Sequence, residues 1–119
     1  MSTASTVNLW RTNAGVCHVP NIPEETFETG TRLLQANHEL HRVFFNDRGF
    51  HNYLTHYLLT QVVIAATLAQ MRRAYVQEKA LQRPHFPINE KVVQQIKDGD
   101  FFKDCISQEK HYYNYLAFF

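Results

Sequence analysis

Long apolar runs are absent from this 119-residue chain. The longest, Val62 to Leu68, falls far short of the roughly 20 residues that cross a bilayer. Cysteine is scarce. Cys17 and Cys105 are too few and too far apart for a disulfide framework, and both read as free thiols in a reducing compartment. The four glycines, Gly15, Gly30, Gly49 and Gly99, are scattered, so no dinucleotide or phosphate loop is encoded. Charge of one sign is also lacking. A formal net charge of +1 offers no electrostatic case for nucleic acid or an anionic membrane. The opening MSTASTVNLWRTNAG has no apolar core of a secretion signal. These absences predict a soluble, cytoplasmic protein.

Aromatic and apolar residues are plentiful. A hydrophobic share of 45% with 13% aromatics argues for a packed chain over disorder. Residues 1–21, rich in Ser, Thr and Asn, read as a mobile polar leader, and residues 22–119 as a single helical domain. Pro23 suits a helix start, and Glu24, Glu25 and Glu28 follow where the helix dipole favours carboxylates. Apolar spacing carries that helix through Phe45, with Gly30 weakening it slightly, to a turn at Asn46-Asp47-Arg48-Gly49. A second helix is expected from Phe50 to Gln82, apolar on almost every side between Tyr57 and Met71. Asn89 is placed to cap a short helix ending at Gly99, and Ser107 to cap a last one. The predicted fold is all-α, an array of about four helices. Tyr112, Tyr113, Tyr115, Leu116, Phe118 and Phe119 crowd the C-terminus, which reads as the middle of an element. As an isolated unit the chain would expose much apolar surface, pointing to an incomplete part of a larger helical domain or to a homo-oligomer.

Four of the seven histidines lie in NHELHRVFFNDRGFHNYLTH, residues 37–56. Leu34, His38, His41 and Phe45 step by four, three and four, which puts both rings on or beside the apolar face of a helix. His51 and His56 are five apart, about 140° around an ideal helix, a poor chelating pair. HExxH and CxxC are absent. Two readings stand: metal or substrate ligands, or partly buried imidazoles with local hydrogen-bond partners. Spacing alone favours the second. His85, between prolines, reads as a loop residue, and Cys105 beside Ile106 as buried and inert.

The run Asn37-His38, His41, Phe44-Phe45, Gly49-Phe50-His51-Asn52 and His56 resembles the N-terminal signature of the questin oxidase-like family. The stretches MRRAYVQEKALQRP and HYYNYLAFF are similar to later segments of that family. The resemblance implies a Baeyer–Villiger-type oxygenase of fungal secondary metabolism that cleaves an anthraquinone-type polyketide. It also implies NADPH as reductant in some members, and in part of the family a non-haem iron held by histidines and a modified lysine, the lysine lying in a part of the longer family members that this chain does not contain. His41, His51 and His56, with His38 as a fourth, are then the expected metal ligands. Tyr53 and Tyr57 stand where the family pattern has histidines; if those positions hold the metal, this chain has lost it. The alternative is a non-catalytic remnant acting as a helical interaction module.

Overall fold

In a computed structural model, which describes residues 2–119, helices carry the architecture, as the sequence predicts. Among these residues no helix is long and apolar enough to cross a membrane. The chain divides into two compact units, Met1–Arg83 and Pro84–Phe119, where one domain over 22–119 was expected. The described residues form six α-helices, some of them short, in an all-α arrangement.

The first unit holds α1 (Glu24–Leu40), α2 (Tyr53–Val63) and α3 (Leu68–Lys79), which pack on one another. Pro23 stays extended and precedes α1, whose first turn carries Glu24 and Glu25. Phe27, Val62, Ala66 and Met71 join Ala14 and Ile22 in one buried cluster; Leu34, Leu54, Leu58 and Tyr75 form a second. Gly30 is more than a weak point in α1. A Cβ there would sit 2.6 Å from Val62 Cγ2 and 3.3 Å from Leu9 Cδ1, so its lack of a side chain lets α2 come close. The helix propensity it forgoes, about 0.5–1 kcal/mol, is the cost of that approach.

Three expectations fail in this unit, each for a local reason. The stretch expected to be a mobile leader lies along α1. The Val7 and Leu9 N–H groups donate to Gln35 Oε1 (2.7 Å) and Thr31 Oγ1 (2.9 Å), and Ala14 and Ile22 are buried. Next, α1 stops at Leu40. His41 is already extended, at φ −126° and ψ 152°, and the chain enters a small antiparallel hairpin. The Phe45 N–H donates to the Phe50 carbonyl and the Asn52 N–H to the Val43 carbonyl, with Phe44 and His51 bridged between them. Asn46 Oδ1 accepts from the Arg48 and Phe50 N–H groups, which folds the turn at Gly49, φ +76°. Finally, the long second helix breaks into α2 and α3. Thr67 and Gln70 form a capping box that starts a new helix, and Ala65 turns the chain at φ +53°. The β-branched run Val62-Val63-Ile64 opposes continuation only weakly, so the cap decides.

The second unit holds α4 (Glu90–Gln95), α5 (Gly99–Cys105) and α6 (Tyr112–Phe118). Asn89 caps α4 as expected, accepting from the Lys91 and Val92 N–H groups. Gly99 opens α5 instead of closing α4, because Asp98 caps the new helix through the Asp100 and Phe101 N–H groups. Ser107 caps nothing. It sits at φ +66°, and a single 3-10 turn, Glu109–His111, leads into α6. The Tyr115 hydroxyl donates to the Phe102 carbonyl at 2.6 Å while its ring meets Phe102 edge-on, tying α6 to α5. Both cysteines are free thiols, Cys17 exposed and Cys105 buried.

Candidate functional site

The histidine run does not lie on one helix face. His38 occupies the last turn of α1, His41 is its C-cap, His51 pairs with Phe44 in the isolated bridge of the hairpin, and His56 rides on α2. The ends of two helices and the hairpin between them orient these four rings, so their sequence spacing carries no helical chelation geometry. His51 and His56 are exposed, and His38 and His41 are half-buried. His51 packs on Phe44 at 5.7 Å between ring centroids. Among the described residues no three His, Cys, Asp or Glu side chains are grouped to hold a metal ion.

A polar network centres on Asn37, only 4% exposed inside α1. Its Oδ1 accepts from Asn52 Nδ2 at 2.9 Å and lies 3.0 Å from His41 Nδ1. Its Nδ2 donates to Thr55 Oγ1 at 3.1 Å. Asn52 is also buried and caps α2, its Oδ1 accepting from the Leu54 N–H while its Nδ2 also reaches the Arg42 carbonyl. One amide pair thus joins the end of α1, the hairpin and the start of α2, and holds the His41 ring. In the same segment, Phe45 meets Phe50 edge-on (6.2 Å) and Tyr53 at a tilt (5.6 Å), which makes an aromatic edge. Phe50 and Tyr53 are about half exposed. Arg83 closes the hairpin from outside. Its carbonyl accepts from the Arg42 N–H and its guanidinium pairs with Asp47 at 2.7 Å, which holds that carboxyl below its ordinary range.

Sequence reasoning picked out the histidines and missed Asn37, Asn52 and Thr55 as a working set. The available signal was an asparagine on the buried face of α1 near its end, where it is a poor helix former unless a partner holds it.

A comparable arrangement occurs in the second unit. Asn114, 2% exposed, accepts the Asn89 N–H at 2.6 Å through Oδ1, and its Nδ2 faces His111 Nδ1 at 3.4 Å. Burial, then Lys110, holds the His111 pKa below its ordinary 6.5. A depressed folded value means the fold favours the neutral ring. This stabilisation is fully present above pH 6.5 and is lost as pH falls through the lower folded value. Far-UV circular dichroism on urea titration across that window is expected to show the second unit weakening with acid. In His111→Gln the acid-dependent part should vanish; an unchanged slope would assign it elsewhere.

The profile of the questin oxidase-like family matches residues 50–119. The chain belongs to the questin oxidase-like family. It is 36% identical over 119 residues to a questin oxidase of Aspergillus terreus, covering 100% of this chain and 27% of that protein. A Baeyer–Villiger oxidase of Pestalotiopsis microspora is 36% identical over 100 residues, 84% of this chain and 22% of the relative. The Baeyer–Villiger oxidase mdpL of Emericella nidulans is 33% identical over 117 residues, 98% of this chain and 26% of its own length. The chain thus spans about a quarter of these questin oxidase-like relatives. The matched residues include the second hairpin strand, α2 with Asn52 and Thr55, and all of the second unit. Asn37 and His41 lie ahead of the profile match but inside the Aspergillus terreus alignment, which covers the whole chain.

Proposed function

We propose that this chain forms a helical part of an oxidoreductase of fungal secondary metabolism that cleaves an anthraquinone-type polyketide. The reaction is a Baeyer–Villiger oxygen insertion. One oxygen atom of dioxygen enters between a ring carbonyl carbon and its neighbour to give a lactone. The other leaves as water, with two electrons and one proton supplied as hydride by a nicotinamide reductant such as NADPH and the second proton by solvent. The observation that carries this reading is the Asn37-held His41 at the start of a hairpin that also carries the Phe45–Phe50–Tyr53 edge. A fixed imidazole can move a proton, and flat aromatic side chains suit a flat polycyclic substrate. A non-haem iron, expected from the family resemblance, would draw ligands from beyond the groups assembled here.

The second reading, a non-catalytic helical module, has its own support. Tyr53 and Tyr57 stand where the family resemblance leads one to expect histidines, and with Leu59 and Ile64 they leave α2 and its end with exposed apolar side chains that favour self-association. The test is conversion of an anthraquinone by the protein carrying this chain, supplied with NADPH and labelled dioxygen. A product heavier by one labelled oxygen atom, lost in His41→Ala, supports the oxygenase. A folded protein that neither binds nor converts the anthraquinone leaves the interaction module.

A further inference from the structure

We propose that Asn52, the N-cap of α2, dictates the tautomer of His41 through Asn37, so that the ring carries its proton on Nδ1 and presents Nε2 as acceptor. The deduction starts from two backbone groups whose roles are fixed. The Leu54 N–H can only donate, and it meets Asn52 Oδ1 at 3.1 Å. The Arg42 carbonyl can only accept, and Asn52 Nδ2 reaches it at 3.3 Å. The Asn52 amide therefore has one orientation, with its N–H donors facing Asn37. The Asn37 atom 2.9 Å from that donor must be its oxygen, since two amide nitrogens would repel. The same oxygen lies 3.0 Å from His41 Nδ1 and has no hydrogen to give, so Nδ1 is the protonated nitrogen. Thr55 does not decide the matter. Its hydroxyl, 3.1 Å from Asn37 Nδ2, could serve either orientation by rotating.

Asn37 and Asn52 are thus positioning residues acting on a third side chain. The use of Nε2, to take a proton or bind a metal ion, rests on the oxygenase reading; the tautomer does not. The second unit supplies an internal contrast. There the Asn89 N–H holds Asn114 Oδ1, which turns the Asn114 N–H donors toward His111 Nδ1. His111 should therefore carry its proton on Nε2, the opposite tautomer.

Nitrogen-15 NMR of the histidine rings in this chain tests the proposal. Spectra taken about two pH units above the ordinary imidazole value near 6.5 keep the rings neutral. Expected are a protonated Nδ1 at His41 and a protonated Nε2 at His111. In Asn52→Asp the side chain still caps α2 but has no N–H to donate. Asn37 then turns its amide over, and the His41 proton moves to Nε2. In Thr55→Val the proton stays on Nδ1. A wild-type His41 protonated on Nε2 overturns the proposal, as does a folded Asn52→Asp protein that keeps the proton on Nδ1. So does a switch in Thr55→Val. If Asn52→Asp does not fold, the wild-type and Thr55→Val spectra still decide. None of these readouts needs turnover, so a failed anthraquinone assay and a failed tautomer assignment remain distinct results.

Discussion

Phe27→Ala is expected to destabilise the first unit by about 3–5 kcal/mol, the usual range for deleting a fully buried phenyl ring. Phe27 is 1% exposed and lies where α1 meets Ala14 and Ile22 on one side and Val62, Ala66 and Met71 on the other. Arg11 sits over its ring, 5.9 Å from the centroid. The loss compares with the roughly 5–15 kcal/mol that holds a whole domain together, so the variant should be largely unfolded at mild denaturant. Trp10 is the chain's one tryptophan and belongs to this unit, which makes its fluorescence a selective probe. Urea unfolding read by Trp10 should shift strongly. A loss under about 1 kcal/mol would mean that the neighbours collapse into the space, and that the N-terminal stretch is not held through this ring.

Asn37→Ala should cost about 3 kcal/mol, from a different source. Little apolar surface is lost, but three hydrogen bonds disappear from a buried site. Asn52 Nδ2 keeps only the Arg42 carbonyl, and Thr55 and His41 each lose a bond. Buried groups left unsatisfied cost about 1–3 kcal/mol each, and partial access to water at Thr55 and His41 lowers the sum. Asn37→Asp keeps an acceptor toward Asn52 and His41, so it should lose clearly less than the alanine variant. Equal losses in both, read by the same Trp10 titration, would show that volume at this position matters and hydrogen bonding does not.

The parts of the fold that short-range chemistry dictates are legible in the sequence. Pro23 with its trailing glutamates marks the start of α1, and Asn89 marks α4. The hairpin is not legible, because Leu34, His38, His41 and Phe45 mimic helical spacing across the point where the helix has ended. What ends it is a set of long-range bonds, from the Arg42 N–H to Arg83 and from Asn52 to Val43, which periodicity does not record. The break at Ala65 lies within an apolar run, although Thr67 and Gln70 spell a capping box that could have been read. The N-terminal stretch misled through its polar composition. Val7 and Leu9 dock by backbone N–H groups to side chains of α1, which leaves no apolar pattern. At the site, the residue type was readable and the arrangement was not. Four histidines stand out in a sequence, whereas two asparagines that orient one of them look like turn formers.

The hairpin between α1 and α2 has a further consequence for how this segment can vary. An antiparallel bridge fixes which residues pair, so one residue inserted between Leu40 and Phe44 would shift the Phe44–His51 pairing relative to the end of α1. Placed before His41, the insertion would also move that ring from Asn37, even though every residue of the run were still present. An insertion in the turn at residues 46–49 would merely lengthen a loop. Between α1 and the bridge, the count of residues carries as much information as their identity.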